Sequence, residues 1–106
     1  MNVIALRRLR AFWKQKPESE EALRAWYRRL RKAEPRNFAE LRQQFNGVDL
    51  DAPFTIFDIS GNNYRVIVVM VYTGQVAFIK HVFSHTEYDE WNQSKTKKLE
   101  KKRRAS

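Results

Sequence analysis

Along residues 3–15, VIALRRLRAFWKQ, apolar side chains recur at three- and four-residue steps: Ile4 or Ala5, Leu6, Leu9, Phe12 and Trp13, with arginines between them. That spacing predicts an amphipathic helix. Pro17 interrupts it, and ESEEALRAWYRRLRKAE starts a second, with Leu23, Trp26, Tyr27 and Leu30 as its apolar stripe. Acidic residues fall in the first turn and basic ones in the last, the order that suits the helix macrodipole. Pro35 closes it. In RNFAELRQQF, Asn37 is placed to cap a short third helix, with Glu40 three residues on and Phe38, Leu41 and Phe45 along one side. NGVDLDAP reads as a loop.

From Phe54 the period shifts from helix to strand. FTIFDIS sets Phe54, Ile56 or Phe57, and Ile59 around polar positions, GNN signals a tight turn, and YRVIVVMVY is a dense β-branched run. TGQ is a second turn, and VAFIKHVF follows it. The pattern predicts a three-stranded antiparallel meander. Its middle strand is apolar on both faces, so both need a cover. The leading helices supply one, and the only downstream candidate for the other is SHTEYDEW with Trp91. Ser84 followed by Glu87 has the capping-box spacing, which starts a short C-terminal helix. The expected architecture is therefore α+β, with N-terminal helices packed on a three-stranded antiparallel meander and a short helix at the end. Residues 1–94 form one domain, and residues 95–106 form a basic, flexible tail.

Charge changes the picture at that end. Twenty-one basic and twelve acidic residues give +9 overall. Seven of the basic ones and one acidic one lie in KTKKLEKKRRAS, a net +6, which leaves fourteen basic and eleven acidic, or +3, for residues 1–94. Such a tail is either a solubilising end or an arm for a polyanion, and an acidic protein partner would also satisfy it. Cysteine is absent, so disulfides, thiolate zinc sites and cysteine nucleophiles are excluded. No segment has the uninterrupted apolar length of a membrane span, and residues 1–16 carry too many charges for a signal peptide. A cytoplasmic protein is expected.

One short stretch, AFIKHVFSHTEYDEW, gathers Lys80, His81, His85 and Tyr88, and the chain has only two histidines. His81, His85 and Asp89 imitate a ligand set but lack metal-site spacing, so no metal or other cofactor is expected. Metal-free RNA cleavage suits the inventory better. RNA brings its own nucleophile, the 2′-hydroxyl, and needs only backbone positioning, proton transfer and a cation for the phosphoryl oxygens. The turn at TGQ should lay Arg65, which opens the middle strand, beside Val82 through His85. Each residue alone has a duller role: Arg65 in a salt bridge to Asp89 or Glu87, Lys80 snorkelling to an edge, His85 as a cap, Tyr88 in the core. Strand alternation puts His81 on the face opposite Lys80 and leaves it as a substrate-facing neighbour.

GNNYRVIVVMVYTGQVAFIKHVFSHTEYDEW resembles the HigB-type toxins of bacterial toxin–antitoxin modules, within the RelE/ParE superfamily. The resemblance is carried by Gly61-Asn62-Asn63-Tyr64-Arg65, Phe78-Ile79-Lys80 and His85-Thr86-Glu87-Tyr88-Asp89, and the amino-terminal helices match as well. Ser84 stands where threonine is usual, which keeps the capping hydroxyl. The resemblance implies a metal-independent endoribonuclease, an mRNA interferase, that cuts messenger RNA on the translating ribosome. Its silencing partner would be a helix-turn-helix, HigA-like antitoxin bound to basic or apolar surface near the site. It implies Arg65 and Lys80 as phosphate-binding charges and His85 and Tyr88 as groups for proton transfer or stacking, with base and acid unassigned. Asn62, Arg65, Lys80, His81, Lys97 and Lys98 would contact RNA. The same fold also hosts non-catalytic, protein-binding toxins that inhibit gyrase, and that reading stands as the alternative.

Overall fold

A computed structural model describes the backbone of residues 1–105 and the side chains of residues 1–95. The elements run β1 (Asn2–Ile4), α1 (Leu6–Gln15), a 3₁₀ turn (Pro17–Ser19), α2 (Glu20–Lys32), α3 (Phe38–Gln44), β2 (Val48–Asp51), β3 (Phe54–Ile59), β4 (Tyr64–Val71), β5 (Val76–Ser84) and α4 (His85–Ala105). The strands form one sheet in the order β1-β5-β4-β3-β2. The meander β3-β4-β5 is its centre, as the pattern predicts.

Two strands were hidden by other patterns. Residues 2–4 are not the first turn of the helix: they run parallel to Val76–Phe78, burying Val3 and leaving Ile4 exposed. The segment read as a loop holds Val48–Asp51, antiparallel to Phe54–Phe57. It buries only Val48, so it lacks the alternation that marks a half-buried strand. The sheet is therefore five-stranded and mixed, not a three-stranded antiparallel meander. The terminal helix is also longer than expected: its backbone continues through the proposed tail to Ala105.

The three leading helices cover one face. Leu9, Trp13, Leu23, Trp26, Leu30 and Leu41 pack with Val66, Val68, Ala77 and Ile79 in one buried cluster. Phe57 sits in that layer, meeting Trp26 and Phe45 edge-on with centroids 5.2 and 5.4 Å away. Each such pair adds about 0.5–1.5 kcal/mol beyond the area it buries. Asn37 caps α3 as its position predicts, its Oδ1 accepting from the Glu40 N–H at 2.9 Å.

The other face is covered by α4 through Trp91. Its ring lies 5.4 Å from Phe54, 5.6 Å from Phe83 and 5.5 Å from His81. Lys95, one turn on, stacks its ammonium on Trp91 at 4.4 Å and pairs with Asp51 of β2. Apolar stacking with a charge clamp thus docks the helix across β5, β3 and β2.

Strand β5 carries a bulge. Ile67 pairs with His81, but Val68 pairs with Ile79, so Lys80 is an extra residue without a partner across the ladder. Ala77 and Ile79 before it face the helical core, whereas His81 and Phe83 after it face Trp91. One inserted residue has changed the face on which odd-numbered side chains stand. None of the helices among the described residues is long and apolar enough to cross a membrane.

Candidate active site

The register of β4 on β5 sets Tyr64 opposite Ser84 and Arg65 opposite Phe83, so the start of one strand lies beside the end of the other. Helix α4 begins at that corner. Ser84 N–H donates to Glu87 Oε1 at 2.9 Å, and Glu87 N–H donates back to Ser84 Oγ at 3.3 Å, closing the capping box. The His85 N–H donates to the Asn63 carbonyl at 3.1 Å, which ties the helix to the β3–β4 turn. Asn62 is exposed in that turn.

Arg65 and Tyr88 meet here, the guanidinium carbon 5.3 Å from the ring centroid. Arg65 is nonetheless only 9% exposed. Its Nε donates to Asp58 Oδ1 at 2.8 Å, so its ion-pair partner is Asp58, not Asp89 or Glu87. The cause is the hairpin: Ile59 pairs with Tyr64, which makes Asp58 and Arg65 direct cross-strand neighbours. Gly47 leaves room for the carboxylate. Its φ is +72°, and a Cβ there would come within 3.1 Å of Asp58 Cβ and Oδ2. Burial holds the Asp58 carboxyl above its ordinary pKa, although Arg65 pulls it down. Arg65 is thus buried, paired with Asp58 and packed against the Tyr88 ring.

The remaining candidates are more open. Burial raises the Tyr88 phenol above its ordinary value, and Asp51, Asp49 and Asp58 add to this against the opposing pull of Arg65. At neutral pH it is a hydroxyl donor. His85 is exposed, and its Nε2 lies 3.3 Å from Asp89 Oδ2 one turn along the helix. That contact orients the ring, and among the described residues no partner meets Nδ1. His81 stacks on Phe83 at 5.1 Å and 11°, and burial, then Arg8, then Lys80 lower its pKa, so it is neutral at pH 7.

Lys80 stands apart from Arg65, exposed, with its ammonium 5.6 Å from the Phe78 ring. Phe78 pairs with Val69, on the same side of β4 as Arg65 and Ile67, so the expected opposition of Lys80 and His81 does not hold. The bulge sets both toward one side. The side chains of Lys97 and Lys98 lie outside the described residues. Two neighbours of these candidates were not anticipated. Asp58 was legible by counting outward from the GNN turn. Arg8, which faces the edge of β5 near Lys80 and His81, had no local signal because the helical pattern explains it fully. Among the described residues, no three carboxylates or histidines converge as metal ligands.

Residues 19–91 match the family model HigB toxin, described as the RelE-like toxic component of a toxin–antitoxin system. The chain is also 30% identical over 76 residues to the mRNA interferase HigB of Escherichia coli O6:H1 (strain CFT073), an alignment covering 69% of this chain and 74% of that protein. The matched span contains the whole β4–β5–α4 corner, from the strand that supplies Asp58 to Trp91. The chain belongs to the HigB family of RelE-like toxins from toxin–antitoxin systems.

Proposed function

We propose that this toxin is an endoribonuclease that cuts messenger RNA without a metal, on the ribosome, and that a HigA-like helix-turn-helix antitoxin silences it. The activity is that named for its Escherichia coli relative. The observation that carries the reading is the first turn of α4: an Asp-oriented imidazole, His85, and an un-ionised phenol, Tyr88, three residues apart on one face. These are the two proton-exchanging groups the reaction needs.

His85 Nδ1 takes the proton of the 2′-hydroxyl as that oxygen attacks phosphorus. Tyr88 gives its proton to the departing 5′-oxygen, the P–O5′ bond breaks, and a 2′,3′-cyclic phosphate and a 5′-hydroxyl are formed. Lys80, at the open edge of β5, binds the RNA backbone beside the scissile link. Arg65 is a positioning residue that holds the Tyr88 ring. Asn62 and His81 flank the site, and Lys97 and Lys98 in the basic carboxyl-terminal segment hold RNA.

Primer extension on RNA from cells induced for the toxin tests this. Discrete cuts with 5′-hydroxyl ends are expected, absent with His85→Ala while antitoxin binding persists. Growth arrest without cuts would favour the non-catalytic reading, and growth arrest that survives both His85→Ala and Arg65→Ala would remove the assigned site.

A further inference from the structure

Strand β1 pairs with β5 only as far as Phe78, so from Ile79 onward the outer edge of β5 has no neighbouring strand. Helix α1 runs beside that edge. Between them opens a cleft of about 300 Å³ lined by Arg8, Phe12 and Gln15 of α1 and by Lys80, His81 and Phe83 of β5. The bulge at Lys80 delivers the lysine and the neighbouring imidazole to this one opening. Both Arg8 and Lys80 are close enough to His81 to depress its pKa.

We infer that this cleft is a second seat for the RNA backbone, in which Arg8 binds a phosphodiester together with Lys80 and His81. The inference rests on the ribonuclease reading above and extends it to a residue outside the β4–β5–α4 corner.

Three features carry it. First, among the described residues neither cation has an ion pair. Arg65 is consumed by Asp58, whereas Arg8 and Lys80 are exposed, and the contact assigned to Lys80 is an aromatic face. Two cations without an ion pair of their own repel one another beside an imidazole, and a phosphate between them relieves the repulsion. Second, the cleft joins charge to flat apolar surface, with Phe12 on one wall and the stacked His81–Phe83 pair on the other. Phosphate contacts with adjacent stacking surface are the ingredients of a single-stranded nucleic-acid groove. Third, the anion on the rim is already occupied. The Glu87 carboxylate accepts from Ser84 N–H at 2.9 Å and lies 3.9 Å from Lys16 Nζ, so it is held in the helix cap and shared with a lysine outside the Arg8–Lys80 pair.

The test is affinity for a 2′-O-methyl RNA oligonucleotide, which lacks the nucleophile and is not turned over, measured by fluorescence anisotropy at several salt concentrations. Arg8→Ala should weaken binding about tenfold and reduce the slope of log K against log salt by about 1. Arg10→Ala, an equal charge loss on the same helix outside the cleft, should stay within about twofold of wild type. Equal losses in the two variants would mean diffuse attraction and overturn the inference. So would an Arg8→Ala variant that keeps RNA affinity and loses antitoxin affinity, which assigns the cleft to the antitoxin. A wild-type toxin that neither binds the oligonucleotide nor cuts RNA would instead defeat the ribonuclease reading. Imidazole NMR adds an independent check. With Arg8 removed, the His81 pKa should rise, and an unchanged value would show that Arg8 does not face the cleft.

Discussion

Asp58 and Arg65 should behave as one unit, so removing both should cost less than the two single losses added together. The Arg65 side chain is 10% exposed and that of Asp58 22%. Removing one partner of a buried pair leaves an unanswered charge and costs about 3–5 kcal/mol. Asp58→Ala strands the more buried partner, an arginine that cannot shed its proton, so about 3 kcal/mol is expected. In a domain near 100 residues that lowers Tm by roughly 15 °C. Arg65→Ala strands a carboxyl that burial already disposes to protonate, so about 2 kcal/mol is expected, with about 0.5–1 kcal/mol more for the lost stacking on Tyr88. The double variant leaves no charge behind, and its loss should fall short of the sum by about 1–3 kcal/mol. Urea unfolding followed by tryptophan fluorescence reads all three, since Trp13, Trp26 and Trp91 report on both layers. Single losses that simply add, within about 0.5 kcal/mol, would show that the guanidinium does not depend on Asp58. Arg65 would then be free to serve a phosphate directly, and its assignment as a positioning residue would fail.

Further outcomes follow from the same geometry. Trp91→Ala removes the ring that docks α4 on Phe54, Phe83 and His81; a loss of about 2 kcal/mol with reduced helical circular dichroism is expected, since the ring is only partly buried. Gly47→Ala sets a Cβ at positive φ against the Asp58 carboxylate and should cost about 1–2 kcal/mol in urea unfolding; a neutral effect would mean the carboxylate is not confined there. Glu87 is held below the usual carboxylate range, first by the Ser84 N–H. The folded chain therefore binds that proton less tightly than the unfolded one. The stability it contributes is present above the unfolded pKa and lost as pH falls through the folded one. Glu87→Gln should flatten the acid limb of the stability profile below about pH 4.5, and identical limbs would remove the linkage. RNA cutting should survive EDTA; loss on chelation with recovery on adding a divalent ion would overturn the metal-free assignment.

The parts of the fold that were legible in the sequence are those written in a single period. Leu23, Trp26 and Leu30 mark α2 because one helical stripe has one explanation, and Ser84 with Glu87 marks the start of α4 because the cap is a local contact. The missed strands are those in which period and tertiary role part company. Val3 and Ile4 run straight into the helical pattern, so a parallel edge strand three residues long leaves no trace of its own. Val48–Asp51 exposes three of its four residues, so its pairing to β3 comes from the neighbouring strand and not from its composition.

The relation of Lys80 to His81 was misread at the same kind of place. Strict alternation separates Lys80 from His81, and it fails because β5 serves two layers: Ala77 and Ile79 must reach the helical core, while Phe83 must reach Trp91. An uninterrupted strand would present all four odd-numbered side chains to one face, so changing layers requires an extra residue. Lys80 occupies that position, which an aliphatic side chain would fill at the cost of an exposed apolar surface on an open edge. The bulge therefore satisfies a packing demand, and in doing so it sets a lysine and a histidine side by side where β5 lacks a strand neighbour. The placing of Lys80 and His81 at this edge depends on that register shift.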